Sequence, residues 1–264
     1  MELWIWKSWQ DKPFLTCTLL PLPHGFFTRQ FHPMPPETLV TALSDSAAVF
    51  RVKQVHSAEV LLPSEITAQL ETGLPQLPDG NSAAFPLADG VVTEVANQSV
   101  WACSADCTPA LICDVETGRG TAVHAGWRGT AQKILPMALS RMMAQGSALK
   151  NLRIALGPAI EGLVYQVDEN VACEVGMTVA PMADSRALID RLLEMENPPL
   201  FSDPEEGKVR LDVRRINQMQ AEQMGVAAEQ IAIAPHCTYQ EPDNFFSYRR
   251  TQEKNVQWAG IVSV

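Results

Sequence analysis

The sequence is short of basic residues, of long apolar runs and of regularly spaced cysteines, and each shortage removes a class of function. Lys and Arg total 20 against 30 Asp and Glu, a formal net charge of −10. The basic surface that phosphate backbones require is therefore missing, and nucleic acid is not expected as a partner. A small anion held in a local basic pocket stays compatible with that charge. No run of 18 apolar residues occurs, so no membrane-spanning helix is expected. The six Cys include no CxxC pair, which argues against both a disulfide framework and a structural zinc module. They read as reduced thiols of a cytoplasmic protein. The N-terminal stretch MELWIWKSWQDK has an acidic second residue, three Trp and no continuous apolar core, and is not expected to be a secretory signal. Internal repeats and low-complexity tracts are also absent.

What is present is a 264-residue chain, 46% apolar and 19% charged, enough for one sizeable core and expected to form a single domain over residues 1–264. Leu3–Trp6 and Leu15–Leu20 read as an N-terminal hairpin, His24 as part of a turn, and Phe50–Val55 as a strand closed by His56. Pro63, Pro75, Pro78 and Pro86 shape a surface excursion around a short helix at Ser64–Thr72. Apolar spacing predicts helices over Ala131–Gln145, Asp168–Met177, Arg186–Met195 and Leu211–Met224, and strands at Leu152–Gly157, Ile231–Ala234 and Gln257–Val264. Asp203–Gly207 reads as a solvated acidic turn. Strands cluster before residue 125 and helices after it, the pattern of an α+β fold.

The densest chemistry lies between Asp89 and Thr130. Cys103, Cys107 and Cys113 fall within eleven residues, and His124 follows seventeen after Cys107. Ser104 to Pro109 is a sharp elbow between two apolar runs. A third run ends at His124-Ala125-Gly126, where the chain enters a helix near Trp127. A Cys at an elbow and a His at a strand end are placed to act as metal ligands or as a nucleophile and its base. The residues alone leave both readings open.

Several separated motifs resemble one family. Gln54-Val55-His56, Asp89-Gly90-Val91-Val92-Thr93, Ala105-Asp106-Cys107-Thr108-Pro109 and His124-Ala125-Gly126-Trp127-Arg128-Gly129 are similar to the YfiH-like laccase-domain family. His24-Gly25-Phe26-Phe27-Thr28-Arg29, Gly157-Pro158 and Phe245-Phe246-Ser247-Tyr248-Arg249-Arg250 carry the resemblance over roughly residues 24 to 250. That family, formerly described as multicopper polyphenol oxidases, is regarded as purine nucleoside phosphorylases with accompanying adenosine deaminase activity. The resemblance implies a layered α/β/β/α sandwich with mixed sheets. It also implies a metal, zinc with copper as the alternative, held by His56, Cys107 and His124. One departure is Ala159, where the family often has a Cys after Gly-Pro, so no scheme should rely on a second thiol there.

Three ligands of N, S, N type leave a fourth tetrahedral position open, as in catalytic zinc sites. On this reading Cys107, His124 and Asp106 are the expected catalytic residues, with Asp106 orienting a ligand, moving a proton, binding ribose or merely bracing the elbow. Arg29, Arg128 and Arg249 (or Arg250) are the expected substrate holders, the substrates being purine nucleosides and phosphate, in a monomer or homodimer. Two alternatives remain. A copper-dependent polyphenol oxidase would need several His-rich clusters, and five scattered His (24, 32, 56, 124 and 236) are few for that. A Cys–His hydrolase, with Cys107 as nucleophile and His124 as base on a peptidoglycan-type amide, needs no metal.

Overall fold

Two six-stranded mixed sheets are forced face to face by the alternation of apolar residues along their strands. The computed structural model describes residues 2–74 and 83–264. One sheet runs in the order Trp4–Trp9, Lys12–Cys17, His24–Phe27, Gln257–Val262, Gln98–Ser104, Ala48–Phe50; the other runs Ile231–Ile233, Leu152–Leu156, Thr108–Asp114, Gly120–Ala125, Gly90–Val92, Val60–Leu61. Leu15, Phe26, Val100, Ala102 and Ile261 of the first sheet meet Val91, Leu111, Cys113, Ala122 and Ala155 of the second in one buried cluster. The outer face of the second sheet is covered by the helix Ile134–Ala144, which buries Ile134, Leu135, Ala138, Leu139 and Met142. Each of its large aliphatic side chains removed from water contributes about 1.5–3 kcal/mol. The outer face of the first sheet is covered by Phe31, Leu39 and Val40 from short helical turns. The expected α/β/β/α layering is present.

Beside these layers lies a third sheet of Gln166–Asp168, Lys208–Leu211 and Leu200–Ser202, packed with the helices Glu169–Gly176, Ser185–Leu193 and Val213–Gln223. It was not expected from the sequence. Its strands are three or four residues long, too short for alternation to show. Leu211 accordingly ends a strand, and the helix after it starts at Val213 with Asp212 as its capping residue, its side chain accepting from the Arg215 amide.

Other boundaries also moved. The N-terminal hairpin turns at Gln10-Asp11, both with positive φ, between Trp4–Trp9 and Lys12–Cys17. His24 is no turn residue: it opens the buried strand His24–Phe27. Its Nδ1 donates to the Leu22 carbonyl and its Nε2 accepts from the Cys17 amide. The helix expected near Trp127 is Trp127–Ala131 and the one expected over Ala131–Gln145 is Ile134–Ala144, the two separated by Lys133 in a left-handed conformation. Pro136 falls in the first turn of the second, where a missing N–H costs nothing. The excursion helix is Pro63–Thr72; Pro75 and Pro78 lie outside the described residues.

Candidate metal centre and substrate cavity

Strand register decides which side chains share the end of the second sheet. Thr108–Asp114 and Gly120–Ala125 are antiparallel neighbours, pairing Thr108 with Ala125 and Pro109 with His124. Cys107, one residue before its strand, therefore meets the end of the strand that carries His124. On the other side of that strand Gly90 pairs with Val123, and the His124 amide donates to the Asp89 carbonyl at 2.7 Å. Cys107 and Asp89 thus flank His124 because of backbone pairing, before any side-chain contact is considered.

His56 arrives differently. The strand expected over Phe50–Val55 stops at Phe50, and beyond the bridge between Lys53 and Leu87 the segment Gln54–Ser57 is held by side chains. The Gln54 amide group imitates a strand partner, donating to the Cys103 carbonyl and accepting from the Cys103 amide, each at 2.7 Å. The Asp89 carboxylate accepts from the amides of Val55, His56 and Ser57 and from the Ser57 hydroxyl, at 2.7–3.1 Å. These bonds offset the left-handed conformation of His56, φ 61°, which costs a non-glycine residue roughly 1–2 kcal/mol.

The same carboxylate orients the second imidazole. His124 Nδ1 donates to Asp89 Oδ1 at 2.8 Å, which orients the ring and makes Nε2 the nitrogen that can give up its proton to a cation. Asp89 is therefore a single buried anchor for both histidines. The ligating atoms of His56, Cys107 and His124 lie within 4.8 Å of one another, and no other group of three such donors occurs among the described residues. The two imidazole rings cross at 79° with centroids 4.9 Å apart. Gly126 keeps the space open: a Cβ there would lie 2.8 Å from Cys107 Sγ and 3.3 Å from His56 Cδ2.

Charge follows this geometry. Burial raises the Cys107 thiol, but the facing charge of His124 and hydrogen bonds from both imidazoles outweigh it and bring the pKa from 9.0 down to about 6. Burial lowers His124, yet the Cys107 charge and the Asp89 carboxylate carry it from 6.5 up to about 10. Asp89 is likewise held below the carboxylate range: burial opposes, and His124 and Ser57 prevail. Cys103 and Cys113 lack such partners, and burial pushes them to about 11 and about 12. One thiol in this molecule is set up as a thiolate. Two nitrogens and a thiolate sulfur suit zinc, and copper less selectively; the donor set fits a zinc ion.

Beside the trio lies a cavity of about 350 Å³, lined by His56 and Cys107 with Trp127, Arg128, Tyr165, Tyr248, Arg249 and others. The Arg128 guanidinium lies 4.3 Å from the Trp127 ring centre and that of Arg249 lies 4.8 Å from Tyr165. Arg249 Nη1 donates to the Gln166 carbonyl at 2.9 Å. The one acid in the wall is Asp106, and both of its oxygens accept bonds within the protein. The wall therefore presents two guanidiniums together with the Asp106 carboxylate, whose hydrogen bonds go to the Thr238 hydroxyl and the Arg249 amide and not to either guanidinium.

Residues 37–264 match the family described as multi-copper polyphenol oxidoreductase laccase. The chain belongs to this family. It is 50% identical, over 99% of its length and 98% of the relative's, to a purine nucleoside phosphorylase of Synechocystis sp.. A protein of an unknown prokaryote named adenosine deaminase RL5 is 28% identical over 75% of this chain and 68% of its own. Among solved structures, YfiH of Bacillus licheniformis superposes with a TM-score of 0.71 at 22% identity, covering 95% of this chain and 96% of its own. YlmD of Geobacillus stearothermophilus does so with 0.70 at 23%, covering 98% of each chain. At that identity the likeness carries the fold alone.

Of the residues singled out in the sequence, His56, Cys107, Asp106, His124, Arg128 and Arg249 come together in or beside the cavity. Arg29 does not. Its guanidinium donates to the Pro242 carbonyl at 2.7 Å and stacks 4.6 Å from the Phe246 ring centre, outside the cavity lining. Arg250 is bonded to the carbonyls of Thr238, Tyr239 and Phe245. Asp89, Gln54 and Gly126 stood inside quoted motifs but were assigned no role at the site; the signal available was their position beside the ligand segments. Tyr165 had none, because it reaches the cavity from the unforeseen third sheet's side of the molecule. Among the described residues no helix is long and apolar enough to cross a membrane.

Proposed function

We propose that the chain is a zinc-dependent purine nucleoside phosphorylase with accompanying adenosine deaminase activity. It would take adenosine, inosine or methylthioadenosine with phosphate to the free base and the sugar 1-phosphate. The observation that supports this most is the cavity that His56 and Cys107 of the trio share with Arg128 and Arg249. The 50% identity to a named purine nucleoside phosphorylase supports the same reading.

His56, Cys107 and His124 would hold the zinc, which supplies Lewis acidity and draws the pKa of water toward about 7. Asp89 keeps His124 Nε2 turned toward it by holding the proton on Nδ1. Arg128 and Arg249 bind the phosphate dianion by charge-assisted hydrogen bonds, and the flat rings of Trp127 and Tyr165 offer faces for a purine. The Tyr165 phenol, pushed up to about 12 chiefly by burial and then by the Cys107 charge, stays protonated and able to donate at neutral pH. The test is product analysis of the zinc-loaded protein. Inosine with phosphate should yield hypoxanthine and ribose 1-phosphate, adenosine should also yield inosine, and no turnover of any purine nucleoside would end the proposal.

A second reading draws on the line Cys107–His124–Asp89, which has the order of nucleophile, base and orienting acid. A metal-free hydrolase of that kind would cleave a peptidoglycan-type amide in the presence of chelator and lose activity on Cys107 alkylation. The copper oxidase reading has the family description in its favour, but a single three-donor cluster among the described residues falls short of what multicopper chemistry uses. Oxygen consumption with a phenol would revive it.

A further inference from the structure

Asp106 lies in the elbow beside Cys107, in the left-handed region at φ 84°, and its side chain is buried. Its Oδ1 accepts from the Thr238 hydroxyl and its Oδ2 from the Arg249 amide, each at 2.7 Å. Its carbonyl accepts from the Ile160 amide at 3.0 Å. The partners of the carboxylate belong to a long connection between Ile231–Ile233 and Gln257–Val262 whose only helix is Tyr248–Thr251. That connection makes the cavity wall through Tyr248, Arg249 and Gln252.

Elsewhere the connection is fastened by arginines on its carbonyls. Arg214 bonds to those of Ala234 and His236, Arg29 to that of Pro242, and Arg250 to those of Thr238, Tyr239 and Phe245. None of these three fasteners touches the metal-ligand segment. Asp106 does, being joined to Cys107 by one peptide bond.

We propose that Asp106 is a positioning residue that sets Arg249 in register with Cys107, so that the phosphate-holding wall and the metal centre keep one spacing. This rests on the phosphorylase reading for its kinetic part and on the hydrogen bonds alone for its structural part. The carboxylate accepts from both donors; an amide could still accept from the Arg249 amide while donating to the Thr238 hydroxyl, whereas alanine accepts from neither. The shift expected at Arg249 is on the scale where displacement by about 1 Å costs up to a hundredfold.

The experiment uses Asp106→Ala and Thr238→Val in the zinc-loaded protein, alone and combined with Arg249→Ala. Asp106→Ala should keep its zinc, exchange the Arg249 amide hydrogen faster, and raise KM for phosphate about tenfold with kcat changing far less. Thr238→Val, which leaves the bond to Arg249 intact, should do less of each. In the Arg249→Ala background Asp106→Ala should add almost nothing. Unchanged exchange at Arg249, loss of zinc in Asp106→Ala, or multiplying effects in the double variant would each overturn the proposal. If the parent protein turns over no nucleoside with phosphate, the phosphorylase reading fails, while amide exchange still decides whether the latch exists.

Discussion

The two sides of the cavity are built in opposite ways. On the metal side Cys107 and His124 come from neighbouring strands of one sheet, and His56 is tied to them through the buried carboxylate of Asp89. The facing wall comes from segments far apart in the chain, Tyr165 and Arg249, whose side chains meet across the Gln166 carbonyl. The first side is fixed by backbone pairing and one shared carboxylate; the second is held by side chains reaching onto loop carbonyls. Binding a cation calls for fixed donors within tenths of an ångström, whereas holding a substrate tolerates a looser wall. Damage to the first should therefore appear in metal content and damage to the second in KM.

Asp89→Asn attacks the rigid side at its anchor and is expected to have the largest effect. Replacing a group that orients a metal-bound His costs about 10–100-fold in metal affinity or activity. Because Asp89 also holds the loop carrying His56, the upper end is expected, measured by zinc titration against a competing chelator. Gly126→Ala comes next. The backbone there, φ −71°, accepts Ala, so the whole penalty is the clash with Cys107 Sγ and His56. Overpacking of this kind costs about 1–3 kcal/mol, to be read as roughly tenfold weaker zinc binding with an unchanged circular dichroism spectrum.

The wall is expected to respond differently. Arg249→Ala and Arg128→Ala should keep full zinc and raise KM for phosphate about tenfold, the scale of one hydrogen bond to a charged group. Arg29→Ala should leave that KM alone and instead lower the melting temperature, since Arg29 braces Pro242 and Phe246. Equal effects of all three on KM would erase the difference between wall and brace.

The smallest effect on turnover at pH 7 is expected from His24, remote from both sides. Burial lowers its pKa from 6.5 to about 4, so the unfolded chain takes up the proton first as pH falls. The stabilisation is complete above pH 6.5 and is lost between pH 6.5 and 4, an amount on the order of 3 kcal/mol. His24→Gln, which keeps an acceptor for the Cys17 amide, should flatten that part of the stability profile in denaturant melts.

The same contrast governs what the sequence could disclose. Cys107, His124 and the strand–elbow–strand–turn–strand–helix order around them were legible, because consecutive antiparallel strands and their turns leave a local pattern. The motif resemblance supplied His56, whose approach rests on Gln54 and Asp89 acting as surrogate strand partners; the local pattern suggested a longer strand instead. Tyr165 and the third sheet were illegible because strands of three or four residues carry no period. Arg29 was misleading: it lies in a family-like motif, yet its guanidinium reaches a loop carbonyl more than two hundred residues away in sequence, a partner that no local pattern indicates.

The central claim is that His56, Cys107 and His124 hold one metal ion beside the cavity. Metal content of the purified protein and of its Cys107→Ala variant, determined on the same preparation by elemental analysis, tests it most directly. About one zinc per chain in the parent and almost none in a folded variant is the expected result. Equal zinc in both, or none in a zinc-supplied parent, would contradict it.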